Sequence, residues 1–168
     1  MTMSMYQISV PVFVRMLGNL SAILGKVAAH VETKRIEPKA LLDARLSPDM
    51  FTFTRQVQIS CDTAKACAAR LAGVEMPSFP DNEASFADLK ARIDKTIAFL
   101  NTLRPEQIDG TEERTIKVPL RDRALELKGQ PYLLNWVFPN FFFHVTTAYA
   151  ILRHNGIEIG KMDFLGSV

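Results

Sequence analysis

What most constrains this chain is an apolar spacing of three and four residues that recurs over four long stretches. Val14, Leu17, Leu20, Ile23, Leu24, Val27 and Val31 form the first stripe and predict a helix over residues 10–31. Pro11 is tolerated in its opening turn, where its missing N–H has no partner to lose. A second stripe of Phe53, Val57, Ser60, Cys61, Ala64, Cys67, Ala68 and Leu71 predicts a helix over residues 48–72. Ser47 is placed to cap it, Pro48 to open it and Gly73 to end it. Small side chains dominate this stripe, so a neighbouring helix can approach closely.

Ser85 caps a third helix carrying Phe86, Leu89, Ile93, Ile97 and Leu100, which runs to about residue 103, before Pro105. The fourth helix spans residues 130–155, with a kink expected at Pro139 and a closing glycine at Gly156. Between the third and fourth, "RTIKVPL" and "ALELKG" alternate apolar with polar residues around "RDR", the pattern of a small β-hairpin. Helices with one apolar stripe bury it against each other, so the expected fold is an all-α four-helix bundle with a hairpin insert. No Ser/Gly linker or repeat divides residues 1–168, which read as a single domain.

Composition narrows the function classes. The chain has 48% hydrophobic and 23% charged residues and a net charge of +2, and no long basic run. Nucleic-acid binding is therefore not expected, and the pair Lys34–Arg35 reads as a solvated loop. Cys61 and Cys67 lie six apart on one helix and point in different directions. Two free thiols, with no basic-apolar leader, suit a reducing cytoplasm. Residues 132–152 are apolar enough to suggest a membrane span, but Asn135, Pro139, Asn140, His144, Thr146 and Thr147 would be costly in lipid. A buried bundle helix is the expectation, and no membrane partner.

The segment "PNFFFHVTTAYAILRHNG" carries the chemistry. Asn140, His144, Thr147, Ile151 and His154 follow a 4-3-4-3 spacing, which puts them on one helical face. One reading is the wall of a small-molecule pocket. The other is a core histidine hydrogen-bonded to Asn140, Gln56 or a buried water. Arg15 and Asn19, one turn apart, could face inward and make an anion pocket with Asp62 as alternative partner. Otherwise Asp62 forms a surface ion pair with Lys65. Trp136, Phe141, Phe142, Phe143 and Tyr149 exceed one stripe, and the surplus suits a pocket rim or a homodimer contact. No glycine-rich phosphate loop, paired-carboxylate arrangement or nucleophile elbow is present, and Ser60 with His144 lacks a third member.

The stretches "RQVQISCDTAK" (55–65), "TAYAILRHNG" (147–156) and "IGKMDFLG" (159–166) resemble the DUF1993 branch of the DinB-like proteins, a superfamily of putative metalloenzymes. The resemblance covers nearly the whole chain and implies a four-helix bundle, often homodimeric. Metal-binding members place one histidine on the second helix and two, four apart, on the fourth. Counted back from Leu152–Arg153, the later of that pair falls on His144, the earlier on Asn140, and the second-helix ligand on Gln56. Only one of three imidazoles remains. His30, His154 and Asp62 are the remaining substitutes: His154 is nearly three turns from His144 and cannot chelate with it, and His30, near the end of the first helix, suits that helix's C-terminal carbonyls.

The implied protein is a ligand-binding or non-catalytic domain with a degenerate metal site and no cofactor. Its expected pocket is Arg15, Gln56, Asn140, His144 and Thr147. The alternatives are a metal-dependent thiol S-transferase or isomerase, with zinc or nickel held by His144, Asn140 and Gln56, and a homodimeric interaction module.

Overall fold

Four helices of fifteen residues or more carry the architecture, and in the first three most of the stripe read from the sequence is buried. The structure, a computed structural model, describes residues 3–167. α1 (Val10–Lys34) buries nine side chains from Val10 to Val31. After the short α2 (Pro38–Leu42) come α3 (Phe53–Ala72) and α4 (Phe86–Leu100). A short α5 (Pro105–Ile108) leads to the hairpin of β1 (Thr115–Pro119) and β2 (Ala124–Lys128). The last long helical run opens with α6 (Gly129–Pro131), passes through a π-helical segment (Tyr132–Val137) and continues as α7 (Phe138–His154). A final turn, α8 (Lys161–Leu165), follows.

The fold is thus mostly helical with one small antiparallel sheet, whose register pairs Thr115 with Lys128 and Pro119 with Ala124. Ile116 and Val118 point inward from β1 while their neighbours face out, the alternation expected of a half-buried strand. α3 packs on α7 and α4, α1 packs on α4 and more lightly on α3, and α8 lies along α1. Phe13 of α1 meets Phe138 and Phe141 of α7 edge to face at 5.8 and 5.0 Å. The fully buried Phe13, Leu17, Phe53, Leu89 and Phe141 belong to one continuous apolar cluster.

Two boundaries differ from the sequence reading. α3 starts at Phe53, five residues after the expected Pro48, because Ser47 closes a turn instead of capping a helix. Its hydroxyl bonds Asp49, and its carbonyl accepts the Met50 amide at 2.9 Å. Thr52 is the true cap and accepts the Arg55 amide. α4 ends at Leu100, short of residue 103, and Pro105 opens α5. The kink expected at Pro139 takes the form of the wider π turn just before it, which suits a residue that cannot donate to the preceding turn.

Among the described residues, α1 is the one helix long and apolar enough to cross a membrane by length and composition. Its apolar stripe is the one already buried in the core. The 132–152 run, weighed earlier as a span, is divided between the π segment and α7.

Candidate functional site

α3 and α7 run side by side, and their facing residues build the site. On α3, Gln56, Thr63 and Arg70 recur every seven residues, while Trp136, Asn140 and His144 recur every four on the partner. At one end the His144 Nδ1 lies 2.6 Å from the Gln56 Oε1. An amide oxygen only accepts, so Nδ1 carries the proton in this bond, and in the neutral ring the lone pair sits on Nε2. The Gln56 Nε2 donates to the Phe51 carbonyl at 3.3 Å, and Ser60 donates to the Gln56 carbonyl at 2.8 Å. Gln56 is 1% exposed, so His144 and Phe51 satisfy a side chain that water does not reach, while Ser60 serves the Gln56 backbone carbonyl.

Burial, and then the nearby Arg55 charge, hold the His144 pKa below its ordinary value. Asn140 donates from Nδ2 to the Trp136 carbonyl at 2.6 Å, so it serves the backbone beside the π segment. Thr147 is buried but bonds the Phe143 carbonyl one turn back at 2.7 Å. Arg15 lies elsewhere: it is exposed, and its guanidinium donates to the Leu165 carbonyl at 2.9 Å. Asn19 does the same for Phe164 at 3.0 Å, so this pair clasps α8 and not a ligand pocket. Among the described residues Arg15 and Asp62 do not meet in an anion pocket; Asp62 has other partners.

Those partners form a charge network that the sequence did not reveal. Asp62 bonds Lys65 at 3.2 Å, but Lys65 is 3% exposed, so the expected surface pair is half buried. Asp62 also accepts from Arg92 of α4 at 2.8 Å. Arg92, itself 2% exposed, reaches Asp81 and Glu83 of the 74–85 loop as well. Gln58 and Arg55 complete the set through Glu83 and Asp81, and the Lys65 ammonium stands 4.1 Å over the Phe79 ring. Burial raises the Glu83 pKa, but the bonds from Arg92 and Gln58 outweigh it, and the net shift is downward. Asp81 and Glu83 lie in a loop without periodicity, which is why pattern reading passed over them.

The sequence profile of a family described as Domain of unknown function (DUF1993) matches residues 5–165. The chain belongs to the DUF1993 family. A crystal structure of a DinB family member protein from Shewanella denitrificans superimposes with a TM-score of 0.88 at 39% identity, over 97% of this chain and 92% of that one. The DUF1993 chain is thus DinB-like along nearly its whole length. Comparison with curated proteins returns no match.

Gln56, Asn140 and His144, where the resemblance places the metal ligands, are two carboxamides and one imidazole. Among the described residues, no group of three or more His, Cys, Asp or Glu side chains converges as a metal cluster would. One carboxamide is bonded to the imidazole itself and the other to a backbone carbonyl. Carboxamide oxygens are weak donors for zinc and nickel, so this set does not fit a tightly held transition metal.

Proposed function

We propose that the DUF1993 chain is a DinB-like four-helix bundle that binds a small polar molecule between α3 and α7, without metal chemistry. The observation that carries this reading is the closed Gln56–His144 pair at 2.6 Å, where an amide has taken the place of a ligand. Neutral imidazole with Nδ1–H engaged leaves Nε2 as an acceptor for a bound donor. Among the described residues no His, Cys, Asp or Glu cluster joins it, which supports a binding role.

Metal analysis of protein purified without a histidine tag tests this. Less than about one-tenth of an equivalent of zinc, nickel or manganese is expected, given the weak donor set. The double substitution Gln56→His with Asn140→His should then gain zinc. One equivalent in the wild type, lost in His144→Ala, would overturn the reading and restore the thiol-transferase or isomerase alternative.

A second observation favours self-association on the same face. Phe51 and Phe143 are 55% and 54% exposed, and both adjoin the polar pair: Phe51 through its carbonyl on Gln56, and Phe143 through its ring 5.2 Å from the imidazole. Large exposed aromatics that adjoin one polar pair suit a contact surface. Light scattering at low micromolar concentration should report a dimer that Phe143→Ser dissociates. A wild type that stays monomeric removes the idea.

A further inference from the structure

The α3–α7 face has two closed polar rungs and an open stretch between them. Gln56–His144 closes one end, and the Arg70 Nη1 donates to the Tyr132 hydroxyl oxygen at 3.0 Å to close the other. Between them lies a notch of about 200 Å³ lined by Asp62, Thr63, Arg70, Tyr132, Trp136 and Asn140, among others. The space is below the range of drug-sized pockets, which sets a small ligand. The π segment supplies two of these residues, and π turns recur at functional sites because they displace side chains from the regular register.

The donors at the Arg70 end are unusually free. Arg70 commits one N–H to Tyr132 and keeps the rest of its planar fork. The Tyr132 oxygen accepts that bond, and its own proton has no acceptor among the described residues. Tyr132 is 1% exposed and lines the notch. The one carboxylate in the notch, Asp62, is already held by Arg92 and Lys65 and offers little competing negative charge. At the other end Asn140 has given one amide hydrogen to Trp136, leaving its oxygen and second hydrogen. Trp136 provides a flat, half-buried wall between the two ends.

We propose that this notch binds a small aromatic carboxylate, its carboxyl on Arg70 and Tyr132, its ring against Trp136, and a polar ring substituent toward Asn140. The inference rests on the ligand-binding reading above and names the class of ligand. An arginine fork with an adjacent hydroxyl matches a carboxylate in geometry as well as charge.

The chain has a single tryptophan, so the Trp136 indole N–H gives one NMR cross-peak located in the notch. We would titrate the full-length protein with 4-hydroxybenzoate, with the neutral isostere 4-hydroxybenzamide, and with acetate. Saturable movement of that peak is expected with 4-hydroxybenzoate, with at least about tenfold weaker binding of the amide and of acetate. Arg70→Gln and the milder Tyr132→Phe should each weaken 4-hydroxybenzoate by about tenfold, while His154→Gln, at an exposed residue outside the notch, leaves it within about twofold. Equal binding of acid and amide, or no loss in either Arg70 or Tyr132 variant, overturns the carboxylate assignment. Absence of any saturable shift overturns it too, and leaves the Gln56–His144 reading to be decided by its metal analysis alone.

Discussion

His144 links the site to acidity in a direction fixed by its surroundings. Its folded pKa lies below the ordinary 6.5, so the unfolded chain takes up the proton first as pH falls. Stability contributed by the neutral imidazole is therefore present above about pH 6.5 and is lost as pH drops through the folded value. Urea unfolding measured from pH 7.5 to 5 should show this decline, and His144→Gln should flatten it. An unchanged slope in the variant would show that another group titrates. His144→Ala at pH 7.5 is expected to cost about 1–3 kcal/mol, because the Gln56 amide would be left buried without its partner. The cysteines give a second residue-scale check. Burial pushes the Cys61 thiol up to about 12 and the Cys67 thiol higher still, and both are fully enclosed. A thiol reagent should find neither in native protein and both in urea; a fast native reaction would contradict the buried stripe.

Among the elements, the helix ends show how sequence becomes geometry. α3 and α7 each finish with a left-handed glycine: the Val74 amide reaches back to Ala69, and the Ile157 amide to Leu152. α1 ends in the same way, Ile36 on Val31, but with Arg35 in the left-handed position at φ 53°. A side chain there is strained, so Arg35→Gly should raise stability by about 1 kcal/mol, read as a shift in the urea midpoint. Two other glycines separate strain from space. Gly156 has φ 81° and open surroundings, so Gly156→Ala should cost about 1 kcal/mol. Gly129 is different: a Cβ there would run into the Thr111 carbonyl, a backbone atom that cannot swing aside. Gly129→Ala should therefore be clearly the worse of the two in the same assay. Helix identity was legible in the sequence because the stripes at Leu17–Leu24 and Val57–Leu71 repeat with one period. The α3 start was not, since Ser47-Pro48 suits a turn as well as a cap, and the Phe53 amide's bond to Ala44 decided it.

For the molecule as a whole, charge joins what the apolar core does not. The 74–85 loop has no fully buried residue, yet it is fixed to α3 and α4 through Asp81, Glu83 and Arg92. Removing Glu83 would leave a buried guanidinium short of a partner, so Glu83→Gln should destabilise by about 3 kcal/mol, with little dependence on salt. A strong salt dependence would mean the pair is solvated. The candidate site was partly legible: helical spacing alone put Asn140 and His144 on one face, and family likeness pointed to Gln56. Arg70 and Tyr132 were not, because they meet across 62 positions, and no local pattern encodes such a pairing.

The clasp of Arg15, Asn19 and Lys26 on α8 joins the first long helix to the last, 137 to 150 positions along the chain. During synthesis α1 emerges well before α8, which carries its partners for these three side chains. That face of α1 therefore waits in solvent until α8 has been made, and its closure follows the folding of the helices between them.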